Sequence, residues 1–369
     1  MQENVTGLGL QNEKIEVQVP MNRKTYLFTM LATVLLMVST SHVFSQLRTR
    51  VEVEEVVVPV NVRDSDGKLV TGLTKEDFIV TEDGKPQGIS NFSIDPAPLS
   101  AAIIVDDGMG GDALKRLVPL LQVMTSGFSA DDEMVSFRYD HFVWKLSDFT
   151  NDHAVIEKSF YELPKIAESR PAQGEPGDPV AAGPAWLRAI TGMITIGSNG
   201  PPPAIPSGAD RPKPVRTSRV LHNAIFDAAN ILKNRPETRR KIILLISDGQ
   251  VGGAGNTQTL ERNVELLLQN KIQVYSVATD YALREGSLGV LSAYAKATGG
   301  DVFGGGSTRD METAFTRITE QARNQYVLGY VSSNEPRGAG GVFRTIDVRT
   351  RNPGQKITHR KGYIQFRAR

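Results

Sequence analysis

KIILLISD, residues 241–248, decides the fold. Ile242 to Ile246 are apolar without a break, so the segment has no polar face to turn to water. A short run of this kind is the mark of a strand covered on both sides, as in parallel sheets flanked by helices. AAIIV at 101–105 and IQVYSVA at 272–278 read the same way. Between and beyond them, apolar residues recur at helical spacing. They are Leu114, Leu117, Leu121, Met124 and Phe128; Ile156, Phe160 and Leu163; Val220, Leu221, Ala224, Ile225 and Ala228; Leu260, Val264 and Leu267; Leu288 and Leu291; and Met311, Phe315, Ile318 and Ala322. Pro119 should kink the first of these helices or shorten its start. EMVSFRYD and FVWKLSDF (133–140 and 142–149) read as strands, and DVF (301–303) as a short one. Strands alternating with helices of this length predict an α/β fold with a doubly wound, mainly parallel, Rossmann-like sheet.

Outward from that centre the pattern changes. Val51 to Val62 (VEVEEVVVPVNV) alternates and is rich in β-branched residues, and DSDGKL (64–69) and EDGKP (82–86) are turn signals. Asp64-Ser65-Asp66-Gly67 has the opening of a calcium loop without its later acidic ligands, which favours a turn. After Tyr326, YVLGYV, VFRTIDVRT and THRKGYIQF read as terminal strands that pair with the N-terminal unit. The expected organisation is a β unit at 46–98, a central domain at 99–332 and a β extension at 333–369. The stretch 164–216 holds 11 of the 20 prolines and reads as an extended insert. Within it Trp186, Ile190, Met193 and Ile194 fall at helical spacing, either to dock a partner or to pack back on the domain.

The 369 residues carry a net charge of +1, which gives no basic surface for nucleic acid. Cysteine is absent, excluding disulfides, thiol catalysis and thiolate metal sites. Asn22-Arg23-Lys24, the 13-residue apolar run from Tyr26 to Val38, and Val43-Phe44-Ser45 have the three-part layout of an export signal. A run that short is less than the roughly 20 residues a membrane span needs. The expected mature chain starts near Gln46, is secreted, periplasmic or held at the cell envelope, and has no transmembrane segment. Met21, directly before the basic triplet, is an alternative start to Met1.

Ligands of open parallel sheets bind beyond the carboxyl ends of the strands. Two apolar strands end in acid there, at Asp106 and Asp248. IIVDDGMGG (103–111), HNAIFDAANIL (222–232), KIILLISDGQ (241–250) and AYAKATGGDVF (293–303) resemble the motifs of von Willebrand factor A domains. With VNVRDSDGKLVTGLTKEDFIVTEDGKPQGISNFS (60–93) before them and QYVLGYVSSN, FRTIDVRTR and RKGYIQ after them, the chain resembles the related family of exported bacterial proteins common in acidobacteria. The resemblance spans nearly all of the sequence after the export signal except the proline-rich insert.

That resemblance implies a metal-ion-dependent adhesion site of three loops, carrying Asp-x-Ser-x-Ser, a Thr and an Asp. Here the first loop is Asp106-Asp107-Gly108-Met109-Gly110, Arg219 stands at the Thr position, and the third loop keeps Asp248. Gly108 and Gly110 replace both serines, so the acids survive and the hydroxyl ligands are lost. Magnesium prefers six oxygens in octahedral order, so Asp106 and Asp248 would hold magnesium or calcium only weakly. Alternatively the Arg219 guanidinium replaces the metal between the two acids. A slip of register would bring Thr217 or Ser218 to that place, and Asp107 and Asp112 are further oxygen donors.

Other motifs are weaker. Gly299-Gly300 and Gly304-Gly305-Gly306 lack the lysine of a phosphate loop and read as turns. His141, His153, His222 and His359 have no metal-ligand spacing, and no GxSxG elbow is present. The sequence therefore suggests a non-enzymatic protein-binding or envelope scaffold module, probed by its carboxyl-edge loops or insert and independent of metal. The alternatives are a cation-dependent adhesion module with a remodelled site, and a hydrolase whose site is unrecognised.

Overall fold

The computed structural model describes residues 24, 55–94, 96–109, 111–168, 220–251, 255–279, 282, 288–305, 307–335 and 341–366. Contacts divide the chain into Met1–Glu52 and Val53–Arg369; apart from Lys24, the described residues belong to the second unit. Apart from Lys24, the expected export signal lies outside the described residues, as do Gly110, Arg219 and the four apolar residues of the insert.

Six strands form the central sheet: β5 (Leu99–Asp106), β6 (Glu133–Tyr139), β7 (Val143–Lys145), β8 (Arg240–Ser247), β9 (Ile272–Thr279) and β10 (Val302–Gly305). Their order is β10-β9-β8-β5-β6-β7. All neighbours are parallel except β7, which returns antiparallel beside β6. Every residue of β5 and β9 is buried, and in β8 only Arg240 is not, as unbroken apolar runs require.

Helices cover both faces. Ala102 and Ile104 of β5 point to α5 (Leu221–Leu232), α6 (Leu260–Gln269) and α7 (Leu288–Thr298). Ala101, Ile103 and Val105 point to α1 (Gly111–Leu117), α2 (Leu121–Ser126), α3 (His153–Phe160), α4 (Leu163–Glu168) and α8 (Thr308–Arg323). Pro119 lies in a 3-10 turn, Val118–Leu120, that separates α1 from α2, because its ring forbids the helical bond there. The strand expected over 142–149 is regular only at β7. Beyond it single bonds to β6 remain, such as Leu146 N–H to the Ser136 carbonyl at 2.8 Å.

The N- and C-terminal flanks, whose strands were expected to pair, build one β sandwich. One sheet has the order β13-β1-β11-β4 and the other β14-β12-β2-β3. The strands are β1 (Glu55–Arg63), β2 (Phe78–Glu82), β3 (Lys85–Gln87), β4 (Ile89–Ser93), β11 (Tyr326–Val331), β12 (Val342–Thr350), β13 (Lys356–His359) and β14 (Gly362–Gln365). Strand β11, inside the expected 99–332 boundary, thus belongs to the sandwich, paired with β1 and β4. Val58, Val60, Val80, Leu328, Ile346 and Val348 fill the space between the sheets. The buried Glu82 carboxylate ties the sheets together, accepting from Tyr330 Oη at 2.7 Å, Ser332 Oγ at 2.6 Å and Asn334 Nδ2 at 2.8 Å.

The sandwich has its seams closed by the chain itself. β3 at the edge of one sheet runs through Gly88 into β4 at the edge of the other, and β13 runs through Arg360-Lys361 into β14 in the same way. The sandwich meets the central sheet where its strands begin: Gln325 Nε2 donates to Gln273 Oε1 at 3.1 Å and Tyr275 Oη at 3.0 Å, and Arg63 pairs with Asp301 at 2.8 Å. The carboxyl ends of the strands are left at the opposite edge. Among the described residues, no helix is long and apolar enough to cross a membrane.

Candidate functional site

Three adjacent strands end in a polar pair at that edge: Asp106-Asp107 after β5, Tyr139-Asp140 after β6, and Ser247-Asp248 after β8. Parallel register brings them level, with Asp106 opposite Tyr139 and Val105 opposite Ile246. Asp106 lies in the middle strand, fully buried, so its neighbours decide what it can bind.

Those neighbours are hydroxyls. Tyr139 Oη donates to Asp106 Oδ2 at 3.0 Å and Ser247 Oγ donates to the same oxygen at 2.9 Å. Ser247 Oγ in turn accepts the Gly249 N–H at 3.0 Å, and Asp106 Oδ1 accepts the Gly108 N–H at 3.0 Å. Burial, followed by the charge of Asp106, pushes the Tyr139 phenol well above its ordinary value, so it remains a donor. The carboxylate is thereby satisfied from within the chain.

Asp107 is turned to another partner. It forms an ion pair with Arg138, whose guanidinium lies 3.8 Å from the Trp144 ring centroid. Asp248 is 1% exposed and accepts the Gln250 N–H on Oδ1, at 2.9 Å. Its Oδ2 is buried with no hydrogen-bond donor among the described residues. Burial raises its proton affinity to about 6, against the lowering effect of the Gln250 bond. Gly249 adopts φ +75°, the left-handed turn that Gly supplies after this strand.

The structure brings Asp106, Gly108 and Asp248 to one edge and sets Asp112 apart, exposed on α1. Gly108 offers a backbone donor to Asp106 and no oxygen ligand. Gly110 and Arg219 fall outside the described residues, and with them the proposed internal cation. Val220, next in the chain, donates its N–H to the Asp140 carbonyl at 3.2 Å, tying the start of α5 to β6. Among the described residues, no three His, Cys, Asp or Glu side chains form a group able to hold a metal ion.

Sequence reasoning missed Tyr139 and Ser247. The signal was present: EMVSFRYD ends level with AAIIVD if the strands are parallel, and Ser247 directly precedes Asp248. His222 takes up a packing role. His222 Nδ1 lies 2.7 Å from Tyr294 Oη, which also accepts from Asn263 at 2.9 Å, and Asn256 Oδ1 accepts the His222 N–H at 3.0 Å, capping α5 from outside.

No family model matches the sequence, and no curated protein does. Solved structures similar to the chain include a von Willebrand factor type A protein from Catenulispora acidiphila, at 9% identity and TM-score 0.40, covering 86% of this chain and 65% of that one. BatB from Bacteroides thetaiotaomicron is similar at 12% identity and TM-score 0.39, covering 61% of this chain and 98% of that one. Proximal thread matrix protein 1 from the mussel byssus, with a zinc-occupied MIDAS motif, is similar at 11% identity and TM-score 0.39, covering 65% of this chain and 49% of that one. At 9 to 12% identity, none of them says what this chain binds.

Proposed function

We propose that this protein is a non-enzymatic, exported binding module of von Willebrand A type, with a doubly wound central domain, that engages a protein partner or scaffolds the cell envelope without a divalent cation. One observation carries the metal-independent part: both Asp106 oxygens already accept hydrogen bonds, from Tyr139, Ser247 and Gly108. A cation would have to displace two hydroxyl donors from one oxygen and find its remaining ligands where Gly108 supplies none. The export part rests on the three-part pattern at residues 22–45. Partner contacts fall to the carboxyl-edge loops, where Phe142 is 69% exposed, and to the 164–216 insert.

Thermal melting of the metal-stripped chain, titrated with magnesium, calcium and manganese, tests this reading. The expected outcome is no saturable rise in melting temperature with any of the three. Tyr139→Phe should lower stability by about 1–3 kcal/mol, the range for a hydrogen bond to a charged group, in metal-free buffer and with magnesium alike. A saturable rise abolished by Asp106→Ala would overturn metal independence. The unpartnered Oδ2 of Asp248 favours the second reading, a remodelled cation-dependent site, and the same titration decides between them.

A further inference from the structure

The corner where β13 becomes β14 is held by a side chain acting as backbone. Strand β12 pairs with β14 over Val342–Thr345, and Ile346 N–H still reaches the Lys361 carbonyl at 2.9 Å. Beyond that point the chain leaves for the other sheet, and Val348 N–H faces a gap in the ladder. The imidazole of His359 fills it: Val348 N–H donates to Nε2 at 3.3 Å, and Nδ1 lies 2.7 Å from the Arg360 carbonyl. Nε2 must therefore be the bare nitrogen and Nδ1 the protonated one, a neutral ring with its tautomer fixed. His359 is 3% exposed.

The same corner is where the sandwich meets the central domain. Gly299, in the turn between α7 and β10, packs so closely that a Cβ there would lie 2.5 Å from Arg360 N and 2.9 Å from the His359 carbonyl carbon. The Arg63–Asp301 pair joins the two bodies beside it, with Arg63 on β1, the neighbour of β13. A proton on Nε2 would set two N–H groups against each other and leave a buried cation. Lys361 and Arg360 from the corner repel that cation; Asp347 of β12 is the attracting group that acts on it, and Lys296 of α7 lies near enough to Lys361 to add repulsion.

We propose that His359 is an acid-sensitive latch: its protonation opens the β13–β14 seam and loosens the sandwich from the central domain. Burial, followed by the charge of Lys361, lowers its proton affinity to about 4 in the closed form, against an ordinary 6.5. The closed form binds fewer protons than the open one between those values, so the latch is fully held above pH 6.5 and weakens as pH falls towards 4. The limit of that weakening is about 300-fold in the open-to-closed ratio.

Hydrogen exchange of the full chain, read by mass spectrometry as protection factors at pH 7, 5 and 4, tests the latch. Protection over residues 356–365 should fall by about 100-fold between pH 7 and pH 4, while β9 keeps its protection. His359→Gln, which offers Val348 an amide oxygen and does not titrate, should flatten the response. Protection that stays constant to pH 4, or that falls equally in His359→Gln, would overturn the proposal. Should that variant not fold, imidazole nitrogen shifts of the wild type decide: a midpoint near 4 coinciding with lost protection supports the latch, and one near 6.5 with protection retained refutes it.

Discussion

Burying the Asp248 carboxylate, with a donor on Oδ1 and none on Oδ2 among the described residues, gives it a proton affinity of about 6 in the folded chain, against an ordinary 3.8. Because the folded-state value is the higher one, the folded form is relatively favoured below pH 3.8, and that advantage is lost as pH rises through 6. At neutral pH the ionised group costs roughly 3 kcal/mol of stability. Asp248→Asn keeps an acceptor for Gln250 and removes the charge, although its new amide donor has no partner. It should raise stability by about 1–2 kcal/mol at pH 7 and not at pH 4, as read from urea unfolding at both values. A loss at pH 7 would mean that something in solution normally neutralises the carboxylate. Asp106 instead accepts three hydrogen bonds, two on Oδ2 and one on Oδ1. The two acids that look equivalent in sequence therefore differ in their partners.

At the level of elements, the glycines after α7 show how tightly neighbouring elements fit. Gly299 has φ +81°, and at Gly300 a Cβ would lie 1.9 Å from the Val274 carbonyl oxygen. The reading of these residues as turn glycine holds, but the reason is contact between elements as well as local geometry. Gly299→Ala combines a left-handed backbone with a clash against the Arg360 peptide, and should destabilise the chain by about 3 kcal/mol or more, measured by thermal or urea unfolding. Loss under 1 kcal/mol would mean that the junction yields easily. The central strands and helices were legible because their periodicity is local, from KIILLIS to the face of Met311, Phe315, Ile318 and Ala322. Asp106 and Asp248 were legible because each follows such a run. Tyr139 and Ser247 were not, since their role exists only once register sets three strand ends side by side. Nor was His359, a lone histidine in sequence whose partner N–H lies on another strand.

For the molecule as a whole, the connection between β4 and β11 carries the consequence. These strands are antiparallel neighbours, with Ser93 opposite Val327, yet the entire six-stranded domain lies between them in the chain. The central domain is thus inserted into a hairpin of the sandwich, entering through residues 94–98 and leaving through Asn324-Gln325. Two features suggest that the host can fold without its guest. Its apolar core draws only on residues from the flanks, and both seams are closed by its own chain. Replacing residues 95–325 with a short Asn-Gly turn, so that Ile94 faces Tyr326, should restore an ordinary hairpin. At roughly 80 residues such a body buries a smaller share of its surface than a larger domain does, so its stability should be modest, about 2–4 kcal/mol. It also forgoes the Arg63–Asp301 pair and the packing of Gly299 on Arg360. A cooperative urea transition with a β-type circular dichroism spectrum and dispersed amide resonances is the expected result. A disordered chain would show that the central domain is part of the sandwich's folding, because the seam at His359 and Arg360 needs the α7–β10 turn behind it to stay shut.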